Sequence, residues 1–348
     1  MLYPLLRNAL FAMDAERTHD RVLPLLNSWP AARFCQWRYA NLPPSPVTCC
    51  DLKFRNPVGL AAGLDKNGDY LKGLHQLGFG FCEIGTVTPV PQPGNPQPRL
   101  FRLPEDEALI NRMGFNNKGV DHLVKNVTAF RQSTPQADTD IPFRIGINIG
   151  KNKDTPNEQA VDDYLICLHK VYEHADYITV NISSPNTPGL RELQLGEARL
   201  SLLQAIKQAQ LDLHKQFDRY VPLFVKVAPD MSDKELNSFA TDINNTAIDG
   251  VIATNTTNSE SARATLKNKN KNEQGGISGK PVNPLSAHAL EQLRSQLDAQ
   301  VPIIGAGGIQ SAEDAMQRLQ AGASLIQVYT GLIYRGPDLI RDIVRASL

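Results

Sequence analysis

No run of 18 apolar residues occurs in the chain, so no segment reads as a membrane-crossing helix. The N-terminus lacks the continuous apolar core of a signal peptide, and no transit peptide is visible. Cysteine is scarce: Cys35, Cys49, Cys50, Cys82 and Cys167 make an odd number, and none forms a C-x-x-C. That argues against a disulfide framework or a zinc site and suggests reduced thiols in a cytosolic setting. H-x-x-H and Cys/His clusters are missing, so a catalytic metal is not expected. Net charge is missing too, with 36 basic against 36 acidic residues, so no nucleic-acid footprint shows. No internal repeat of solenoid period is found.

What is present is organised around Tyr177-Ile178-Thr179-Val180-Asn181-Ile182-Ser183-Ser184-Pro185-Asn186-Thr187-Pro188-Gly189. The β-branched first half predicts a buried strand. The second half carries prolines, a glycine and many short polar side chains, so it leaves the sheet as a loop. In a parallel barrel that position is the carboxyl-terminal rim, where active sites sit. Taken alone, the stretch also suits an ordinary strand-to-helix turn.

Seven further runs share the pattern, beginning near Val58, Phe81, Phe143, Leu223, Gly250, Pro302 and Ser324, and they end in polar or glycine-rich groups. Eight strands alternating with helical segments predict a (β/α)8 TIM barrel over 57–348. Helix starts are expected at Thr155-Pro156-Asn157-Glu158, at Ser232-Asp233-Lys234-Glu235 and at Ser311. Residues 87–117 and 255–285 are too long for turns and read as lids or disordered segments. Within the second, Lys267 to Asn272 is polar, of low complexity, and reads as mobile.

Residues 1–40 form a separate extension. Leu2, Leu5, Leu6, Ala9, Leu10 and Met13 fall at helical spacing. Asp14 is placed to cap a second helix, in which Val22, Leu25, Leu26 and Trp29 share a face and Pro24 should kink or break the run. Five arginines stand against three acidic residues. Such a pair of helices suits a membrane surface, or a cap packed on the barrel. Residues 41–56 read as a stiff proline linker and a short hairpin.

Three sets of residues carry chemistry. Gly305-Ala306-Gly307-Gly308 before Ser311, together with Tyr329-Thr330-Gly331, suits a phosphate at the loops after strands seven and eight. Lys226 stands inside Leu223-Phe224-Val225-Lys226-Val227-Ala228, where an uncompensated ammonium would cost several kcal/mol or more. It must meet a carboxylate or an anionic ligand. Lys66, just past the first strand, reads more simply as a solvated surface lysine. Asn111, Asn148, Asn181, Asn186 and Asn255 fall near strand ends, and their paired donors and acceptors suit a planar imide or amide ring.

Ala61-Ala62-Gly63-Leu64-Asp65-Lys66, Asn111-Arg112-Met113-Gly114-Phe115-Asn116-Asn117, Asn148-Ile149-Gly150-Lys151-Asn152, Asn181-Ile182-Ser183-Ser184-Pro185-Asn186-Thr187, Lys226-Val227-Ala228-Pro229-Asp230 and Gly275-Gly276-Ile277-Ser278-Gly279 together resemble the dihydroorotate dehydrogenase family, class 2. The likeness runs from about residue 50 to the end, in the family's order, and the helical extension matches that class. The 267–272 insert departs from it.

The resemblance implies oxidation of dihydroorotate to orotate with FMN, electrons passing to a membrane quinone, in de novo pyrimidine (UMP) biosynthesis. It implies a peripheral protein on the cytoplasmic face of a bacterial inner membrane. Ser184 would be the catalytic base, where class 1 enzymes carry cysteine, with Thr187 and the loop around Phe115 as relay candidates. FMN would be held by Ala62, Gly63, Leu64, Asp65, Lys66, Thr86, Asn148, Asn181, Lys226, Thr254, Gly279, Gly308, Tyr329 and Thr330. Lys226 would face the flavin N1/O2 edge. Substrate would meet Lys66, Asn111, Arg112, Met113, Gly114, Phe115, Asn181, Asn186, Asn255 and Thr256. The competing readings are a class 1 dihydroorotate or dihydropyrimidine dehydrogenase, and a silent barrel that binds a phosphate ligand.

Overall fold

The computed structural model describes residues 2–39, 42–134, 141–187 and 189–348. Asn41 and Pro188, and the side chains of Leu2, Leu5 and Trp29 in the apolar stripes, lie outside the described residues.

Eight parallel strands close into a barrel. In chain order they are Val58–Leu60 (β1), Phe81–Val87 (β2), Arg144–Ile149 (β3), Tyr177–Asn181 (β4), Leu223–Val227 (β5), Gly250–Ala253 (β6), Ile303–Ala306 (β7) and Leu325–Val328 (β8). All eight runs read from the sequence become barrel strands. β1 pairs with both β2 and β8, and β5 with β6, which closes the ring. A strand buried on both faces is apolar along most of its length, and five of the eight carry no charged residue.

Inside, the amino-terminal end is filled by an aromatic layer of Phe54, Phe81, Tyr177 and Phe224, packed edge to face at 5.2–6.1 Å between neighbours. A Cβ on Gly146 would stand 2.1 Å from the Tyr177 ring, so this layer closes only over glycine. Phe54 comes from the hairpin expected before the barrel, Val47–Cys49 paired with Leu52–Phe54. That hairpin plugs the bottom and leaves the carboxyl-terminal rim as the open end.

The two long segments are neither structureless nor simple lids. Leu100–Leu103, Ala108–Asn111 and Gly276–Gly279 form a three-stranded antiparallel sheet with Ala108–Asn111 in the middle. Each strand has four residues, too short for alternation to stand out. Nor does the 267–272 insert lack structure. Asp106 accepts the backbone N–H groups of Lys267 and Asn268, Arg263 donates to the carbonyls of Lys271 and Glu273, and Lys269–Asn272 forms a 3-10 turn.

The extension contains three helices rather than two: Leu2–Phe11 (α1), Ala15–Leu26 (α2) and Trp29–Tyr39 (α3). Asp14 caps α2 as expected, accepting from Arg17 N–H. Pro24 does not break α2 at its own position; the helix ends two residues later. Pro30 falls in the first turn of α3, where its missing N–H costs no helical bond. The capping box at Ser232 forms, and Ser311 caps its helix. Thr155 caps nothing: a 3-10 turn at Asn157–Gln159 precedes the helix Ala160–Val171, which lacks a side-chain cap.

Candidate active site

β4 delivers Asn181 to the rim, and the loop after it carries Ser183 and Ser184. Asn181 donates to Thr86 Oγ1 (2.9 Å), accepts from Ser183 (3.2 Å), and its backbone carbonyl accepts from Tyr164 Oη (2.8 Å). Asn255, after β6, donates to Ser183 Oγ (2.9 Å). Asn186 donates to Asn111 Oδ1 (3.2 Å), which ties the loop to the antiparallel sheet. Asn111, Asn181, Asn186 and Asn255 all line one cleft. The fifth asparagine does not: Asn148 is buried below, accepting from Thr86 Oγ1 (2.6 Å) and donating to Glu83 (2.8 Å).

Ser184 lines the same cleft, and its Oγ accepts the Asn186 N–H at 3.2 Å. Thr187 Oγ1 is buried with no hydrogen-bond partner among the described residues. Met113, Gly114, Phe115 and Thr256 also border the cleft, as do Ala62, Gly63, Thr86 and Thr254. Leu64, Asp65 and Arg112 do not. Leu64 is in the core. The Asp65 carboxylate accepts the backbone N–H groups of Asn67, Asp69 and Tyr70 and shapes the turn after β1. Arg112 turns outward to Glu273, Gln274 O and Pro98 O.

Both lysines reach the cleft. Lys226 is buried, and its partner is the fully buried Glu83 at 3.8 Å. Burial pulls the ammonium below its usual range, and Glu83 acts against that pull. The sequence reading singles out Lys226 but passes over Glu83, though the same signal marks both: a charge inside an apolar run. Lys66 is not a solvated surface lysine. Burial pulls it down to about 8, the Arg99 charge adds to this, and Glu16, Asp65 and Asp20 oppose it. Arg99 and Glu16 form a buried ion pair at 2.7 Å, and Glu16 belongs to the extension.

The phosphate-like corner is built by backbone. A Cβ on Gly308 (φ 75°) would stand 2.3 Å from Asn283 Cα, and one on Gly279 (φ 93°) 2.3 Å from Glu107 O. Only glycine leaves the backbone free to line the cleft there. The helix starting at Ser311, the one expected to receive an anion, is already served. Ser311 Oγ accepts the Asp314 N–H, and the Asp314 carboxylate accepts the Gln310 N–H at 2.9 Å. The open helix start is Thr330–Arg335, whose cap Tyr329 offers no side-chain bond. Tyr329, Thr330, Gly331, Gly308 and Gly279 line the cleft together.

The cleft presents three kinds of chemistry along its lining. One end offers backbone N–H groups, the middle two cations, and the other end amides with a serine. That sequence fits a ligand with an anionic tail and a planar ring, and a second planar ligand beside it. Among the described residues no group of three or more His, Cys, Asp or Glu could hold a metal.

The chain is similar to known proteins along nearly its whole length. The family model described as dihydroorotate dehydrogenase matches residues 45–346. A protein of Idiomarina loihiensis named dihydroorotate dehydrogenase (quinone) is 53% identical over 343 residues, covering 99% of each chain. One of the same name from Saccharophagus degradans is 53% identical over 341 residues, 98% of this chain and 97% of that one. Among solved structures, DHODH from Eimeria tenella in complex with ferulenol superposes with a TM-score of 0.84 at 38% identity, covering 96% of this chain and 90% of the other.

Proposed function

The chain belongs to the dihydroorotate dehydrogenase family, and from that premise we propose that it oxidises dihydroorotate to orotate on bound FMN and passes the electrons to a membrane quinone, within pyrimidine biosynthesis. One observation carries the reading: Ser184, Lys66, Lys226 and four asparagines border a single cleft whose far end is a glycine cradle. FMN, when bound, supplies the hydride acceptor.

The protein's own residues then divide the work. Gly279, Gly308, Tyr329 and Thr330 would receive the phosphate at the open helix start. Lys226 would place its charge beside the ring edge that gains electron density. Ala62, Gly63, Thr86, Asn181 and Thr254 would line the rest of that half. Asn111, Asn181, Asn186, Asn255 and Thr256 would hold the substrate ring, with Lys66 countering its carboxylate. Ser184 Oγ would take the proton from the ring carbon next to the C4 carbonyl. The Asn186 N–H already bonded to that oxygen would steady the charge left as the hydroxyl hands its own proton on. Thr187 Oγ1, buried and without a partner among the described residues, would receive it.

Residues 1–40 would serve quinone and membrane. Leu6, Leu25 and Phe34, one on each helix, are exposed, which supports contact of the extension with a bilayer surface. No helix among the described residues is long and apolar enough to cross a membrane. The reading places the protein on the cytoplasmic face of a bacterial inner membrane. The test is direct: protein purified without added cofactor should be yellow with a flavin spectrum. It should bleach on anaerobic dihydroorotate and recover its colour with quinone but not with fumarate or NAD. A colourless protein that takes up no FMN would overturn the reading.

A further inference from the structure

Between the aromatic floor and the cleft lies a polar layer centred on Glu83, which has no solvent exposure. Its Oε1 accepts from Asn148 Nδ2 at 2.8 Å and stands 3.8 Å from Lys226 Nζ. Its Oε2 accepts from Gln327 Nε2 (2.8 Å), Tyr177 Oη (3.1 Å) and Thr179 Oγ1 (3.1 Å). These donors come from β3, β4 and β8, and Lys226 from β5. Donors converging on both oxygens are the pattern of an ionised carboxylate. Lys226 is the only cation within ion-pair distance of it among the described residues.

The separation in this pair matters. A charge-assisted N–H···O bond is about 2.7–2.9 Å, so 3.8 Å gives Lys226 a counter-charge without consuming its donors. No protein acceptor takes an Nζ hydrogen bond among the described residues, and Lys226 lines the cleft. Gln327 is the mirror case. Glu83 and Tyr177 hold its Nε2, at 2.8 and 3.3 Å, which leaves Oε1 as the free end. That oxygen is buried and unpartnered, and Gln327 also lines the cleft.

We propose that Glu83 is a positioning residue for the cofactor half of the cleft: it fixes the Lys226 ammonium and the Gln327 amide so that free donors on one and a free acceptor on the other are left for a ring edge carrying both a charge-accepting carbonyl and an N–H. The inference rests on the flavin reading above. Without Glu83, Lys226 is a buried cation with no counter-charge, and such a group gives up its proton or leaves the site. The other titratable groups packed around Glu83 are Tyr177 and Cys82, and burial holds both well above their usual ranges. Lys226 is then the group of this cluster whose charge burial makes easier to lose as pH rises.

The experiment compares wild type, Glu83→Gln, Lys226→Met and the double variant. It reads flavin per protein, FMN dissociation and the midpoint potential from pH 6 to 9. Glu83→Gln should bind FMN at least about tenfold more weakly. Its potential should begin to fall at a lower pH than in wild type, because the ammonium is lost sooner. Lys226→Met should show no such break. Adding Glu83→Gln to it should restore part of the lost flavin, since the double variant no longer buries a lone carboxylate. Wild-type flavin content and an unchanged potential–pH curve in Glu83→Gln would overturn the inference, as would strictly additive losses in the double variant. If Glu83→Gln does not fold, Glu83→Asp and the double variant read the same coupling. Wild-type protein that takes up no FMN would instead overturn the flavin reading, which keeps the two failures apart.

Discussion

Arg191 and Asp230 meet at 2.7 Å from loops that follow different barrel strands, β4 and β5. The same guanidinium donates through Nε to Ser183 O (3.2 Å) and through its other terminal nitrogen to Thr256 O (3.1 Å). One side chain therefore ties together three rim loops, two of which contribute Ser184 and Thr256 to the cleft.

Arg191→Lys keeps the charge but loses the fork that makes these contacts. Charge-assisted hydrogen bonds contribute about 1.5–3 kcal/mol each, so orotate affinity should fall about tenfold or more. Flavin content should stay at the wild-type level, because the glycine cradle lies at the far end. Titration of the flavin spectrum with orotate measures the first, and absorbance ratios the second. Unchanged orotate affinity would remove Arg191 from the positioning set.

Ser184→Ala should retain FMN and bind orotate, while flavin reduction by dihydroorotate slows by about 10²–10⁴-fold, the usual contribution of a general base. Ser184→Cys should regain activity as pH rises and a thiolate forms. Stopped-flow reduction at several pH values separates these outcomes. A wild-type reduction rate in the alanine variant would show that another group takes the proton.

Lys66 sits near 8 because burial disfavours its charge. The sign follows directly: the ammonium is present below that value and is lost above it. Orotate affinity should be flat on the acid side and weaken above about pH 8, as the partner of the orotate carboxylate deprotonates. Lys66→Arg, whose charge persists across the range, should flatten the profile. An identical break in the arginine variant would assign the titration elsewhere.

The extension both packs on the barrel and exposes apolar side chains, so its two roles must be separated by substitution rather than deletion. Leu23, Cys35 and Tyr39 belong to the main core, and Glu16 pairs with Arg99; removing residues 1–40 would uncover all of this. Leu6, Leu25 and Phe34 are 49–60% exposed and can be changed without emptying the core. Each such side chain, fully inserted in lipid, contributes about 1.5–3 kcal/mol. Leu6→Glu, Leu25→Glu and Phe34→Glu together should release the protein from liposomes and abolish reoxidation by a long-tailed quinone. Flavin reduction by dihydroorotate should remain. Undiminished liposome binding and long-tailed quinone turnover would refute the membrane role of this face.

Several features were legible one segment at a time. Each barrel strand is a short apolar run with a polar end, because burial on both faces is a local demand on composition. Lys226 was legible for the converse reason: a charge in such a run breaks the pattern. Asp14, Ser232 and Ser311 cap helices within three residues of themselves, so their signals are local too. Pro24, expected to kink or break the run, stays inside α2, and the break falls at Asn27–Ser28 before a third helix starts at Trp29.

Periodicity and burial act along the chain, so the barrel, its rim and the residue types gathered there are legible in it. Which of those residues share a cleft depends on how distant segments meet. Ala108–Asn111 becomes a strand because Leu100–Leu103 and Gly276–Gly279 flank it, and the latter lies more than 160 residues away. Lys66 feels the charges of Arg99 and Glu16, which act on it in opposite directions and neither of which adjoins it in sequence. The helix start at Ser311 is already served by Asp314, whereas the one at Thr330 has no side-chain cap. Glu83 finds its donors on three other strands. In each case the deciding term is a contact between distant segments, and the free energy of such a contact exists only once the barrel has closed.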